Sequence, residues 1–280
     1  MKDFSDKVAA ITGAASGMGR TLSIELARRG CHLAISDVDE TGLAQTVTMA
    51  AKHGVSITSQ RLDVADRADV EAWAGQVVAD HGKVNLVFNN AGVALGATVD
   101  GMSYDDFDWL IGINFLGVVY GTKAFLPHLK ASGDGHVVNI SSVFGLLGIP
   151  SQSAYNAAKF AVRGFTEALR IELDMEDCGV SCTTVHPGGI KTNIARNARI
   201  DRSLSDVEID PEEAVKGMEK LFITSPEKAA KAILRAVEQD KRRALVGPDA
   251  YALNLLAKLP PNLYQRLIAR GAQRQAGPIV

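Results

Sequence analysis

The sequence predicts an α/β fold, a doubly wound parallel sheet of about seven strands with helices on both faces. Three observations predict it. Short apolar runs alternate with longer amphipathic stretches along most of the 280 residues, the order expected of strands and crossover helices. The apolar runs are mostly continuous rather than alternating, as in strands covered on both faces. The first run also passes through a glycine-rich turn directly into the first helical stretch, a junction typical of such sheets.

The elements follow in order. Residues 8–11 form the first strand, ending in Thr12-Gly13, and helix 17–29 places Leu22, Ile24 and Leu26 on one broad face. Strand 32–35 ends in Ser36-Asp37, and Asp39 is placed to cap a helix over 41–53. Residues 56–62 alternate and end at Asp63. Asp66 and Asp69 then open a helix over 66–81, where acids suit the helix dipole. Strand 84–88 ends in Asn89-Asn90. A helix over 103–129 follows, with Ser103 three before Asp106 as in a capping box and Pro127 limiting it near its end. Strand 136–140 ends in Ser141-Ser142 and leads to a long helix over 153–175. Strand 180–185 ends in His186-Pro187, helix 226–238 carries Pro226 in its first turn, and strand 244–246 ends in Gly247-Pro248.

Two parts fall outside the alternation. Residues 188–224 are mixed and charged with no clear strand, as expected of a covering segment (about 189–224). Residues 249–280 carry Leu253, Leu255, Leu256, Leu259, Leu263, Leu267 and Ile268, with Asp249 against Lys258, Arg266, Arg270 and Arg274. Pro260-Pro261 divides this stretch into two short helices. The expected organisation is a main domain over 1–248 and a C-terminal helical extension over 249–280.

Composition narrows the class. Apolar residues make up 46% and charged residues 22%, ordinary globular usage that excludes disorder, collagen and coiled coil. Thirty Lys and Arg against 32 Asp and Glu give a net charge of −2, so no field for nucleic acid is expected. Three cysteines make no disulfide framework in a chain of this length. The first seven residues are too charged for a signal peptide. The longest stretch free of charged residues, 135–158, is broken by Asn139, Ser141, Ser142, Pro150, Gln152 and Ser153, so it does not read as a membrane span. A cytoplasmic protein is expected.

Thr12-Gly-Ala-Ala-Ser-Gly-Met-Gly19 joins the first strand to the first helix. Glycines there let a ligand approach the main chain, and the helix N-terminus offers free N–H groups suited to pyrophosphate. The spacing is G-x-x-x-G-x-G rather than the G-x-G-x-x-G of the dinucleotide fingerprint, so a plain flexible turn stays open. Asp37 ends the second strand, 18 residues after Gly19. An acid there can bond adenosine ribose hydroxyls and would repel the extra phosphate of NADP. Val38, not a base, follows it. NAD is the expected cofactor over NADP, a loop or cap residue being the plainer reading of Asp37.

Tyr155 and Lys159 are four apart at the start of a helix, hence on one face. Such a pair alone is ordinary surface chemistry. Here, however, residues 151–162 carry no charge besides Lys159, and Ser142 closes the strand 13 residues before Tyr155, where ligand crevices of parallel sheets form. A phenol of pKa about 10 is a poor base, and bringing it toward 7 takes roughly 4 kcal/mol. A nearby ammonium and a cationic nicotinamide both favour phenolate. A hydroxyl such as Ser142 can bond a substrate oxygen as charge shifts onto it.

Thr12–Gly19, Asn89-Asn-Ala-Gly92, Ser142, Tyr155-Asn-Ala-Ala-Lys159 and Pro187-Gly188, in this order and spacing, resemble the motif set of the short-chain dehydrogenase/reductase family over roughly residues 5–250. The resemblance implies a Rossmann-type fold. It makes Tyr155 the general acid/base, with Lys159 lowering its pKa and holding the nicotinamide ribose, Ser142 positioning the reacting oxygen and Asn114 supporting a proton-relay water. Gly13, Ser16, Gly17, Met18 and Gly19 would cradle the pyrophosphate. Asp63 and Val64 would contact adenine, Asn90, Ala91 and Gly92 would approach the adenosine side, and Pro187, Gly188, Ile190 and Thr192 would meet the nicotinamide amide. Ser141 is one residue off the usual spacing and reads as structural. Read from the residues alone, Asn114 is equally a core amide satisfied by a hydrogen bond. Family members commonly form homodimers or homotetramers through the helices corresponding to 103–129 and 153–175.

Other constellations fail. Cys178, Cys182 and His186 recur every four residues but fall largely on a predicted strand with no fourth ligand near, so no metal is expected. There is no H-E-x-x-H and no G-x-S-x-G elbow. Trp73 and Trp109 fall within helical patterns as packing residues. The reading is an NAD-dependent oxidoreductase interconverting an alcohol and its ketone or aldehyde. Val143, Phe144, Leu146, Leu147, Ile149 and the segment after Gly188 would line its site, favouring an apolar secondary alcohol or ketone over a sugar. The alternative is a dinucleotide sensor or scaffold without catalysis. The 249–280 extension is expected to pack as a C-terminal extension, on the pocket or on another subunit, rather than to lie on a membrane surface.

Overall fold

The structure, a computed structural model, describes residues 1–201, 203 and 222–276, and side chains up to 272 within these. Seven strands share one sheet: β1 (Val8–Thr12), β2 (His32–Asp37), β3 (Ile57–Arg61), β4 (Leu86–Asn89), β6 (Gly135–Ile140), β7 (Val180–Pro187) and β9 (Arg243–Val246). Their order is β3-β2-β1-β4-β6-β7-β9, and every pair is parallel. The chain runs outward from β1 in one direction and from β4 in the other, so the crevice of the topological switch lies between those two strands.

The continuous apolar runs have a direct cause. Successive strand residues point to opposite faces, and both faces are covered. Ile11, Ile35, Phe88 and Ile140 join Leu22, Leu26, Leu43, Ile233 and Val237 on one side. Ala10, Ala34, Val87 and Val137 join Trp73, Phe125, Leu129, Leu169 and Leu173 on the other. Edge strand β3 is only partly covered, which is why its sequence alternates.

The first face is covered by α1 (Gly17–Arg28), α2 (Glu40–Ala50) and α7 (Pro226–Glu238), the second by α3 (Arg67–His81), α5 (Gly117–Ser132) and α6 (Ser153–Glu176). The expected caps form: the Asp39 carboxylate accepts from Gly42 N at 3.0 Å and Asp66 from Asp69 N at 3.1 Å. Ser103 Oγ accepts from Asp106 N at 3.1 Å and opens α4 (Tyr104–Ile111).

Three features depart from the sequence reading. The helix expected over 103–129 is α4, a π-helical turn over Gly112–Leu116, then α5. Pro127 lies inside α5 and does not limit it. A proline removes one N–H bond, while Phe125 and Leu129 on either side are fully buried and hold the helix on the sheet until Gly133, at φ +69°, ends it. The covering segment does contribute a strand: β8 (Arg199–Ile200) pairs with β5 (Leu95–Gly96), each too short to show a period. Residues 202 and 204–221 of that segment lie outside the described residues.

One helical run among the described residues, Tyr104–Ser132, is long and apolar enough to cross a membrane by length and composition. Its Leu110, Asn114, Val118, Phe125 and Leu129 are buried in the protein. In the extension, α8 (Pro248–Leu256) packs against β9 and the turn Val143–Gly145. It is followed by α9 (Pro261–Ala276).

Candidate active site

On the β1 side the crevice is made of main chain. Gly13 has φ +67°, and a Cβ there would fall 2.7 Å from Ala91 Cα; at Gly19 it would fall 2.0 Å from Gly13 O. Side chains tie the turn to β4. Asn90 Nδ2 donates to Thr12 O (2.9 Å) and Gly13 O (3.1 Å), and Thr12 Oγ1 accepts from Asn90 N and Ala91 N, both at 3.0 Å. Arg20 clasps the turn to α2, donating to Ala15 O, to Gly42 O at 3.1 Å and to Thr46 Oγ1 at 3.0 Å. Unlike α2, α3, α4 and α7, α1 has neither a capping side chain nor an acid in its first turn. Its free N–H groups and positive end therefore face the cleft.

That cleft has a volume of about 320 Å³ and is lined by Gly13, Ser16, Gly17, Met18, Asp37, Asp63, Val64, Asn90, Ala91, Gly92 and Thr192 among others. Asp37 ends β2 and is fixed by the main chain: its carboxylate accepts from Ala15 N at 2.8 Å and Asp39 N at 3.0 Å. No lysine or arginine lines the cleft among the described residues. A bare glycine cradle, an uncapped helix end and a fixed acid at the adenosine position fit a dinucleotide.

On the β6 side the crevice is made of ionisable side chains. Ser142 closes β6, and its Oγ accepts from Phe144 N at 3.1 Å. Tyr155 and Lys159 sit in the first turns of α6. Lys159 is buried, with Nζ donating to Ile140 O at 3.0 Å and lying 5.5 Å from the Tyr155 ring centre. Both this amine and Asn114 Oδ1 crowd Gly92, at 3.6 and 3.2 Å from where its Cβ would stand. The ionisable group thus adjoins the nucleotide cleft.

Desolvation dominates the electrostatics of the protein's own groups. Desolvation pushes the Tyr155 phenol up to about 12, with the Ser142 hydroxyl pulling the other way. Desolvation also lowers the Lys159 ammonium to about 8. Within the protein's own groups burial outweighs attraction, so the phenol is held protonated rather than lowered.

The remaining predicted residues divide. Asn114 is fully buried in the π turn, and both ends of its amide go to Val93, Nδ2 to the carbonyl and Oδ1 from N–H, each at 2.8 Å. Ser141 Oγ donates to Lys159 O at 2.8 Å, a structural bond. At the end of β7, Pro187 pairs with Val246 in the sheet, Gly188 packs against Asp249, and Ile190 is buried and bridged to Thr224, while Thr192 lines the cleft. Val143, Leu146 and Leu147 are buried within the protein, whereas Phe144 is half-buried and meets the Tyr155 ring edge-on at 6.0 Å.

Several contributors carry no motif. Asn156 Nδ2 donates to Phe144 O (2.7 Å) and Leu147 O (2.9 Å), and Oδ1 accepts from Ile149 N at 3.0 Å, binding loop 144–149 to the Tyr–Lys helix. His186 Nδ1 bonds Ser142 O at 2.9 Å, and burial lowers its pKa to about 4. Asp249 accepts from Gly189 N at 2.6 Å, tying the extension to the turn after β7. Arg199 of the covering segment lies over the Trp109 ring at 3.7 Å and pairs with Asp106 at 2.8 Å, so Trp109 does more than pack. The only signal for these was residue type, because their partners lie beyond the reach of a single helical turn, from 7 residues away for Asn156 to 93 for Arg199.

Comparisons with known proteins agree with the geometry. The protein SadH of Mycobacterium tuberculosis, which carries an oxidoreductase name, is 51% identical over 274 residues, 98% of each chain. A short-chain dehydrogenase/reductase of Burkholderia phymatum, crystallised in complex with NAD, superposes with a TM-score of 0.83 at 32% identity, covering 91% of this chain and 94% of that one. An alcohol dehydrogenase of Thermococcus sibiricus, complexed with 5-hydroxy-NADP, does so with a TM-score of 0.70 at 28% identity, covering 86% and 94%. Residues 7–203 match the family described as short chain dehydrogenase, and the chain belongs to that family as an oxidoreductase.

Proposed function

We propose that the protein interconverts an apolar secondary alcohol and its ketone, with NAD rather than NADP and with Tyr155 as general acid/base. The observation that carries this reading is the placement of Ser142, Tyr155 and Lys159 at the end of β6, with the Lys159 amine adjoining Gly92 of the nucleotide cleft. A sensor without catalysis would have no use for that set.

Nicotinamide, when bound, would accept hydride in alcohol oxidation and donate it in carbonyl reduction, and its oxidised form would add a positive charge favouring phenolate. Tyr155 Oη, held protonated by burial, is suited to give its proton to a carbonyl oxygen in reduction. In oxidation the same oxygen receives the alcohol proton. Ser142 Oγ bonds the substrate oxygen while charge develops there. Lys159 keeps a positive charge behind the phenol at neutral pH, since its pKa of about 8 lies above 7. Asn114, bonded at both ends of its amide to Val93, holds the π turn in place and would support a proton-relay water from there. The preference for NAD rests on Asp37 and on the absence of bases among the cleft's described lining. The apolar substrate rests on Phe144 beside Tyr155.

Purified protein given NAD and a matched panel of apolar secondary alcohols and polyols, followed by the absorbance of reduced nicotinamide, tests this. Turnover of apolar alcohols is expected. Nucleotide binding without turnover of any member would overturn the enzymatic mechanism. A kcat/KM favouring polyols would overturn the substrate class.

A further inference from the structure

Tyr251 and Leu255 lie four apart on α8 and Leu263 and Leu267 four apart on α9, with Leu259 between them in the connecting turn. In chain order they are 61%, 67%, 37%, 47% and 46% exposed. None belongs to any of the molecule's three core clusters. Single exposed leucines are ordinary, but a regular row of large apolar side chains in one short extension marks an interaction surface. A spacing of four keeps them on one face within each helix.

The charge beside this row is of one sign. Arg266 and Arg270 each follow a leucine of the row by three residues on α9, so a basic edge runs along the apolar stripe. From residue 250 to 280 the chain has Lys258, Arg266, Arg270 and Arg274 and no acid. With −2 for the whole chain, residues 1–249 therefore carry −6. An apolar stripe edged by bases is the pattern of a helix lying in a membrane interface.

We propose that α8 and α9 are a foot that docks on an anionic lipid surface, leucines at the acyl boundary and bases among the headgroups. Charge complementarity favours this occupant over a second foot. A second copy of the foot would bring the same basic edge against it, with no acid in either to offset the repulsion. The acidic remainder of the molecule is repelled by anionic headgroups, which leaves the foot as the contact and fixes the orientation.

The location gives docking a consequence. α8 packs on the turn Val143–Gly145 next to Ser142, and Asp249 in its first turn holds Gly189. The foot therefore emerges beside the catalytic group. If the apolar-alcohol reading holds, the protein takes its substrate from the lipid phase; the docking itself does not depend on that reading.

Sedimentation of the full chain with sucrose-loaded vesicles, of phosphatidylcholine alone or mixed with phosphatidylglycerol, tests docking without any activity assay. The protein is expected to pellet with the mixed vesicles, and less so at high salt. R266Q/R270Q should lower partitioning about thirtyfold, at about fivefold per base. L263Q/L267Q should abolish pelleting while circular dichroism and turnover of a water-soluble alcohol stay unchanged. Wild-type protein that stays in the supernatant with anionic vesicles would overturn the proposal, as would R266Q/R270Q that pellets like wild type. An oligomer, seen by light scattering, that L263Q/L267Q dissociates while vesicles capture nothing would assign the row to a second copy instead.

Discussion

On the β1 side of the crevice, Gly13 and Gly19 leave the main chain bare, and Asn90, Thr12 and Arg20 hold it still. On the β6 side, a half-buried phenol and a buried ammonium stand beside a serine hydroxyl, both shifted by desolvation. The first side is specified by space: its function fails when an atom is added, whatever the atom's chemistry. The second is specified by charge: its shape survives an isosteric change that ends its chemistry. Substitutions on the two sides should therefore separate binding from turnover.

The largest separation is expected from Tyr155→Phe. Removing one oxygen leaves the ring and its edge-on contact with Phe144. A positioned general acid/base contributes about 10²–10⁴-fold, so kcat should fall at least that far while calorimetric affinity for reduced nucleotide is retained. Retained turnover would break the contrast on its chemical side.

The next effect is a pH dependence of stability. His186, bonded to Ser142 O, and His136, its Nε2 2.8 Å from Thr183 Oγ1, are both lowered by burial from 6.5 to about 4. As pH falls below 6.5 the unfolded chain takes up these protons first, so stability present above that pH is lost on the way to 4. At 1.36 kcal/mol per unit this amounts to about 3 kcal/mol for each site. Denaturant midpoints measured from pH 7 to 4 should fall steeply, and His136→Asn should flatten the slope.

Gly19→Ala should give the opposite signature from Tyr155→Phe. The added methyl would stand 2.0 Å from Gly13 O, main chain that cannot swing aside. Overpacking of this kind costs about 1–3 kcal/mol and distorts the cradle. The KM for nucleotide should rise while kcat at saturation changes little. A kcat loss at unchanged KM would show that the turn serves chemistry rather than space.

How far the sequence was legible follows the same division. Strands covered on both faces announce themselves as unbroken apolar runs, and the caps Asp39, Asp66 and Ser103 act on residues three away, within reach of pattern reading. Tyr155 and Lys159 were visible because four residues bring two side chains to one helix face. Asn114 was visible as an oddity, but its partner Val93 lies 21 residues away, and nothing local signals a π turn. Asn156, His186 and Asp249 have the same character: each is an ordinary residue whose work depends on a distant backbone group. The desolvation that raises the phenol belongs to the assembled fold and cannot be read from the spacing of two residues.

The smallest effect bears most directly on the charged side. Lys159 is buried, its amine's one described hydrogen bond is to Ile140 O, and desolvation lowers its pKa from 10.5 to about 8. Below pH 8 the fold therefore carries the strain of an ammonium that the unfolded chain would protonate more readily, about 3 kcal/mol at 1.36 per unit. That deficit shrinks as pH climbs from 8 to 10.5. Lys159→Met keeps most of the stem's volume and removes the charge, at the loss of one hydrogen bond of about 1 kcal/mol. The variant should be more stable than wild type by about 2 kcal/mol at pH 7, with the gain fading toward pH 10, and nearly inactive throughout. Thermal melts across that range check it. A variant less stable than wild type at pH 7 would mean that the amine holds the crevice together by its bonds, and that this side too is built by space.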